Sequence, residues 1–193
     1  MARRGSYAKG LAKREEILDA ALSVVAREGY KRTSVREIAA AVELSQAGLM
    51  HHFASKDELF TEILRRRDEV DTAIVTGDPD IDILESFPLV IKHNAEIPGL
   101  VQLYVSFAAE ATAPGHFAQT FFNERFERLH QGIAEEIIRG QSSGKIRADI
   151  DAGPAARSLL ALADGLQTQW LLNPDFDMAA HVSLAIDAWR SKS

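Results

Sequence analysis

Apolar residues recur along this chain with the spacing of a helix and almost nowhere with that of a strand, which removes sheet-based architectures before any motif is considered. From Lys13 to Arg27, Ile17, Ala20, Ala21, Val24 and Val25 fall at the i, i+3, i+4, i+7 and i+8 positions that share one helix face. Gly29 follows where a left-handed residue ends a helix. Thr33-Ser34 precedes VREIAAAV, and Glu37 stands three residues after Ser34, the spacing of a capping box; Val35, Ile38, Ala39 and Val42 make the buried face. Ser45 caps a third helix to about His52, and Ser55 with Glu58 opens a fourth that carries Leu59, Phe60, Ile63 and Leu64.

TGDPDID, residues 76 to 82, is the first break. Beyond it, helical patterns run over 83–95, 98–112, 115–141, 152–172 and 177–190, separated by Pro98-Gly99, Pro114-Gly115, Ser142-Ser143-Gly144 and Asn173-Pro174. The expected fold class is all-α with about nine helices. A hydrophobic content of 46% in 193 residues is ample for a packed core.

Zero cysteines exclude disulfides and thiolate chemistry. The basic opening MARRGSYAKGLAKR has no apolar stretch behind it, and no apolar run reaches about 18 residues. A soluble, cytoplasmic protein without membrane contact is expected. The net charge of −6 is uneven: residues 1–56 hold 10 Lys and Arg against 6 Asp and Glu, a balance of +4, which leaves −10 for residues 57–193. A basic end is drawn to phosphate while an acidic remainder stays off it. Chance scatter of charge also accounts for so modest an excess, and both readings stand at this level.

Three short helices in the first 53 residues, the second and third joined by a tight turn, have the helix-turn-helix layout. A helix that enters a major groove about 12 Å wide must be short, apolar inside and small or polar outside. In SQAGLMHHF, Leu49 and Phe53 lie four apart and anchor the inner face. Gln46, Ala47, Gly48, Met50, His51 and His52 populate the rest, where small residues permit close approach and glutamine can pair with adenine. The two histidines point about 100° apart on a helix, which disfavours one shared metal and leaves DNA backbone contact or a solvated role. No metal or cofactor is expected.

The run TSVREIAAAVELSQAGLMHHFASKDELF, with the preceding Ile17, Ala20, Ala21 and Gly29-Tyr30, resembles the DNA-binding domain of TetR-type transcriptional regulators across about residues 13–62. The stretches AAEATAPGH and ALADGLQTQWLL resemble the ligand-binding domains of that family. The resemblance implies a DNA-binding domain over residues 1–56 and a ligand-binding and dimerisation domain over 57–193. Carried across by position, it implies Thr33 and Lys56 at phosphates, Arg36 at a base or phosphate, Gln46, Ala47 and Gly48 at base edges, and His51 and His52 at phosphates, with Ser34 and Ser45 beside them. A helix N-terminus favours an anion at Lys56 in any case. Two positions depart from the family pattern. Met50 stands where a tyrosine is usual, and Glu43 where the turn glycine is common, implying backbone strain or a different turn.

Other charges have plainer readings. The Arg65-Arg66-Arg67 run and the Glu135-Glu136 pair read as solvated helix faces. Arg3, Arg4, Lys9 and Lys13 form either an arm toward DNA or a plain tail.

In the second half, Phe87, Ile91, Leu103, Phe107, Phe121 and Phe122, beside Glu110, Asp164, Gln167 and Trp170, supply the apolar walls and few polar groups of a small-molecule site, or simply core. Leu159, Leu162, Leu166, Val182, Ile186 and Trp189 give the last two helices a broad apolar arc that a second copy can cover as a four-helix bundle. The expected function is a ligand-responsive regulator, a homodimeric repressor released from a palindromic operator in double-stranded DNA by a small-molecule effector. An alternative is a DNA-binding protein without ligand, acting architecturally or through a protein partner. No HExxH, nucleophile elbow or Gly-rich phosphate loop occurs, so no enzyme and no catalytic residue is expected.

Overall fold

The structure, a computed structural model, describes residues 2–76 and 82–191, with the backbone alone at 2–9 and 74–76. Among these residues the chain forms nine helices: α1 (Ala2–Glu28), α2 (Val35–Ala41), α3 (Gln46–Met50), α4 (Lys56–Thr76), α5 (Ile83–Ala95), α6 (Pro98–Glu110), α7 (Gln119–Ser142), α8 (Ala152–Leu172) and α9 (Met178–Asp187). They include no strand, only a lone antiparallel bridge between Ile146 and Arg190. No described helix is long and apolar enough to cross a membrane.

Two compact units divide the chain, one running to Val70 and taking in Ile97–Gln119, the other made of Asp71–Glu96 and everything from Thr120 onward. In the first, Ile17, Ala21 and Val25 of α1 are fully buried with Ile38 of α2, Leu49 of α3, and Leu59, Phe60 and Ile63 of α4. Gly29 ends α1 at φ 79°, the left-handed conformation expected there. α6 belongs to this unit because its second residue is Gly99: a Cβ there would lie 2.2 Å from the Val25 carbonyl oxygen, so only glycine lets α6 rest on the end of α1. Edge-on rings fill the space beside it, Tyr30 to Phe60 at 5.1 Å and Tyr30 to Phe107 at 6.3 Å between centroids.

In the second unit α9 packs on both α5 and α8, over a core of Ile133, Ile137, Leu159 and Val182. Gly140 admits the Ile146 side chain, whose Cδ1 would stand 2.7 Å from an added Cβ, and the turn after α7 folds back there.

Several element ends differ from the sequence pattern. α1 starts at Ala2 rather than Lys13, since nothing between the two breaks a helix outright. α3 stops at Met50, with His51 as its C-cap. α7 begins at Gln119 instead of 115, because Gly115 takes φ 79° and the Ala118 N–H donates to His116 Nδ1 at 3.2 Å. α9 ends at Asp187, where Trp189 turns its carbonyl to the Arg147 N–H at 2.9 Å. The break expected over 76–82, and the Arg3, Arg4 and Lys9 side chains, lie largely outside the described residues.

Candidate nucleic-acid interface

Side-chain caps start each of the helices α2, α3 and α4. Ser34 and Glu37 form a complete capping box, with the Glu37 N–H donating to Ser34 Oγ at 3.2 Å and the Ser34 N–H to Glu37 Oε2 at 2.6 Å. The Ser34 N–H, and the Ser34 hydroxyl donating to the same Oε2 at 3.0 Å, hold the Glu37 carboxyl below its ordinary range. Ser45 Oγ accepts the Gly48 N–H at 3.0 Å and so starts α3. Ser55 Oγ accepts from the Glu58 N–H at 3.0 Å, but the Glu58 carboxylate reaches back to the Ala54 N–H rather than to Ser55 itself.

α3 is a helix of five residues with one face sealed: Leu49 is fully buried, as is Phe53 just beyond it. Gln46, Ala47 and His51 are exposed, while Gly48, Met50 and His52 are half-buried. The His51 and His52 rings stand 6.1 Å apart at 76°. Arg36 is exposed on α2. Lys56 is exposed at the start of α4, its ammonium 5.3 Å from the centre of the Phe60 ring. These residues lie on α2, on α3 and just after it, and at the start of α4, with Arg36, Gln46, His51 and Lys56 exposed.

Thr33, Ser34 and Ser45 are different. Thr33 is buried and its hydroxyl donates to the Gly29 carbonyl at 2.9 Å, so it locks the turn between α1 and α2. The Ser34 and Ser45 hydroxyls are engaged as caps. Sequence reasoning also passed over two cations. Lys31 and Arg32, just before Thr33, are exposed and have no carboxylate partner among the described residues, and their signal was adjacency to the capped start of α2.

The backbone at Glu43 takes φ 55°, the one non-glycine residue with positive φ among those described. The turn therefore keeps the left-handed geometry a glycine would adopt, and Glu43 carries the strain.

Two surface readings need correction. The Arg65–Arg67 run is not uniformly solvated: Arg66 pairs with Asp19 at 2.8 Å and with Glu69 at 2.9 Å, and Arg67 is buried with its guanidinium 5.4 Å from the Tyr104 ring centre. Glu135 is exposed but Glu136 is buried and pairs with Arg139 at 3.0 Å, because successive helix positions point to different faces.

The residues considered for a small-molecule site separate between the two units. Phe87, Ile91, Phe121, Phe122, Asp164, Gln167 and Trp170 are in the second unit, and Leu103, Phe107 and Glu110 in the first. Phe107 packs with Tyr30 and with His116, whose ring lies 5.4 Å away, and Glu110 accepts the Tyr30 hydroxyl at 3.4 Å. Burial and the Glu110 carboxylate push the Tyr30 hydroxyl up to about 12. On α8, Gln167 is buried, with Nε2 donating to the Ala163 carbonyl at 3.4 Å and Oε1 finding no hydrogen-bond donor among the described residues. Asp164 is half-buried and lines an open groove with Phe126 and Arg157.

Of the residues considered for a dimer face, Leu159, Leu166, Val182 and Ile186 are buried in this chain's own second unit, and Leu162 and Trp189 are half-buried. The exposed apolar side chains of α8 and α9 are instead Leu172, at 85% exposure, and Leu184, at 69%.

Comparison with known proteins finds two family matches along the chain. The model of bacterial regulatory proteins, tetR family, matches residues 17–63, and that of the BetI-type transcriptional repressor, C-terminal, matches residues 87–189. The HTH-type transcriptional repressor Rv1474c of Mycobacterium tuberculosis is 33% identical over 155 residues, 80% of each chain. The HTH-type transcriptional repressor KstR2 of Rhodococcus jostii is 28% identical over 163 residues, 76% of this chain and 74% of that one. Among solved structures, a transcriptional regulator from Saccharomonospora viridis in complex with choline superposes with a TM-score of 0.74 at 29% identity, over 94% of this chain and 99% of the other.

Proposed function

The chain belongs to the TetR family of bacterial regulatory proteins and is a DNA-binding transcriptional regulator, not an enzyme; from that premise we propose a homodimeric repressor released from a palindromic operator by a small molecule. Residues 1–56 read DNA in this proposal, and residues 57–193 bind the effector and the second copy. It works in the cytoplasm, where its DNA is.

The observation that carries the reading is the sealed inner face of α3 set against its polar outer one. With Leu49 and Phe53 buried, Gln46, Ala47 and Gly48 are the residues a major groove meets first, and Gln46 supplies the hydrogen-bonding edge. Lys31, Arg32, Arg36, His51, His52 and Lys56 surround them with groups suited to phosphate. Met50 offers contact with the DNA backbone or a thymine methyl where a hydroxyl is usual.

The effector reading is supported by the buried Gln167, whose carbonyl oxygen calls for an N–H or O–H donor; Trp170, Phe121 and Phe122 are also buried in that unit. The structural relative bound to choline supports an effector of small size. Such a ligand shifts DNA affinity only by binding one conformation better than another. Helix α4, with Lys56 in its first turn, carries the chain from the first unit into the second at Val70–Asp71 and is the covalent lever for that shift.

Binding to DNA flanking the protein's own gene tests the reading. A two-fold symmetric footprint is expected, with half-site centres about 34–36 Å apart or a multiple of that. Salt-dependent binding of equal strength to unrelated duplexes would instead favour an architectural DNA-binding protein.

A further inference from the structure

A cavity of about 230 Å³ lies within the second unit, where the start of α5, the last turns of α7 and the end of α9 meet. Its walls carry both signs of charge, with Asp82 and Glu136 on one hand and Arg139, Lys145 and Arg190 on the other, over an apolar floor that includes Ile146 and Ile186. None of the residues considered above for the effector lines it.

Glu136 is the unusual member. Only 8% of the residue is exposed, and a buried carboxylate is kept at a cost unless something repays its lost hydration. Burial first, then the nearby Asp82 and Glu85 carboxylates, raise its pKa, while Arg139 and Lys145 act in the opposite sense. Its partner Arg139 is 70% exposed on its side chain, so solvent weakens that pair and leaves the buried carboxylate short of cationic compensation.

Lys145 has the complementary property. Its backbone is held at both ends, the N–H donating to the Gly140 carbonyl at 2.9 Å and the carbonyl accepting from the Ser191 N–H at 3.0 Å. Among the described residues its ammonium has no carboxylate partner, whereas Arg190 pairs with Asp187 at 2.9 Å. A monocation entering the cavity would meet three basic side chains, and a monoanion would meet the buried Glu136 and the half-buried Asp82, whose Oδ1 also accepts the Glu85 N–H at 2.9 Å. Only a molecule of both signs finds a counter-charge for each set.

We propose that this cavity binds a small zwitterion, an ammonium and a carboxylate joined by a short hydrocarbon, with the ammonium at Glu136 and Asp82 and the carboxylate at Lys145. The short hydrocarbon rests on Ile146 and Ile186. This second site goes beyond the effector reading and does not depend on it.

Isothermal titration of the full chain with L-alanine, β-alanine and γ-aminobutyrate tests the proposal, with propionate and propylamine as one-charge controls. At least one two-charge probe is expected to bind saturably, one per chain, about tenfold or more tighter than either control. Lys145→Ala, at an exposed position, and Glu136→Gln should each weaken that binding by about tenfold. If Glu136→Gln fails to fold by circular dichroism, the Lys145→Ala result decides. Three outcomes would each overturn the proposal: no two-charge probe binding at concentrations on the order of ten millimolar, a one-charge control binding as tightly, or Lys145→Ala leaving the affinity unchanged.

Discussion

Arg14 and Glu58 join α1 to the first turn of α4: the Arg14 guanidinium donates to Glu58 Oε1 at 3.3 Å and to Glu62 Oε2 at 3.1 Å, and lies 4.8 Å from the centre of the Phe53 ring. One side chain therefore holds the aromatic just beyond α3 and the Glu58 carboxylate that receives the Ala54 N–H before α4, and ties both to α1. Arg14→Ala is expected to cost about 1–3 kcal/mol of stability. It should also weaken DNA binding, although Arg14 is not on the outer face of α3. Arg14→Lys should recover only part of this, since a compact ammonium lacks the planar, spread donors that reach both carboxylates while lying near the Phe53 ring. Urea unfolding and a gel-shift titration check the pair, and unchanged DNA affinity in Arg14→Ala would remove its positioning role.

At the turn between α2 and α3, Glu43→Gly relieves a left-handed backbone at φ 55°. The expected gain is about 1 kcal/mol, a rise of a few degrees in melting temperature. Loss of the negative charge should also strengthen binding to DNA of any sequence, most visibly at low salt. A lower melting temperature would show that the carboxylate supports the turn.

Base reading and phosphate anchoring separate by mutation. Lys56→Ala should weaken binding about equally on all duplexes and lower the salt slope by about one, whereas Gln46→Ala should change which bases are preferred, by about 1–3 kcal/mol at one position per half-site. Selection from random duplexes with each variant measures this. An unchanged preference in Gln46→Ala would exclude direct readout by that side chain.

The exposed Leu184 on α9 and the buried Val182 two residues before it test how a second copy docks. Leu184→Arg should shift the protein to monomer in size-exclusion chromatography with little loss of subunit stability. Val182→Arg should unfold the second unit, because a charge cannot be solvated at a fully buried position. If Leu184→Arg stays dimeric, the contact lies elsewhere.

Alkaline pH probes the contact of Tyr30 with Glu110. Because the folded state holds the Tyr30 hydroxyl up to about 12, against 10.0 for a free tyrosine, its contribution is fully present below pH 10 and is lost as pH rises toward 12. Tyr30→Phe keeps the ring against Phe60 and Phe107 and should flatten that fall, leaving the decline due to other groups. Denaturant midpoints at a series of pH values for both proteins check it, and parallel curves would show no coupling to Tyr30.

Local patterns carried the helices and the starts of α2, α3 and α4, though not those of α1 and α7. Ser34, Ser45 and Ser55 cap where the sequence placed them because a side-chain cap is a contact over three residues, but only Ser34 with Glu37 closes a full box, the Glu58 carboxylate being taken up by the Ala54 N–H and by Arg14. Gly29 takes the left-handed conformation for the same reason. The inner and outer sides of α3 were legible from Leu49 and Phe53, since four-residue spacing on a helix puts both on one face.

Contacts between distant segments were not legible in that way. Nothing in periodicity distinguishes Thr33 turned inward to Gly29 from a hydroxyl turned to solvent, or Glu136 buried from Glu135 exposed. The last helices illustrate the limit: their apolar arc was evident, but whether Leu159, Leu166, Val182 and Ile186 face this chain or a second one depends on which helices pack on them. By itself the sequence determined an all-α chain opening with a capped helix-turn-helix, because those features are set by interactions among near neighbours. Only the tertiary structure decided that α6 joins α1 through Gly99, that Arg14 clamps α4, and that opposite charges line a cavity around Glu136, because burial and charge pairing come from residues far apart in the chain.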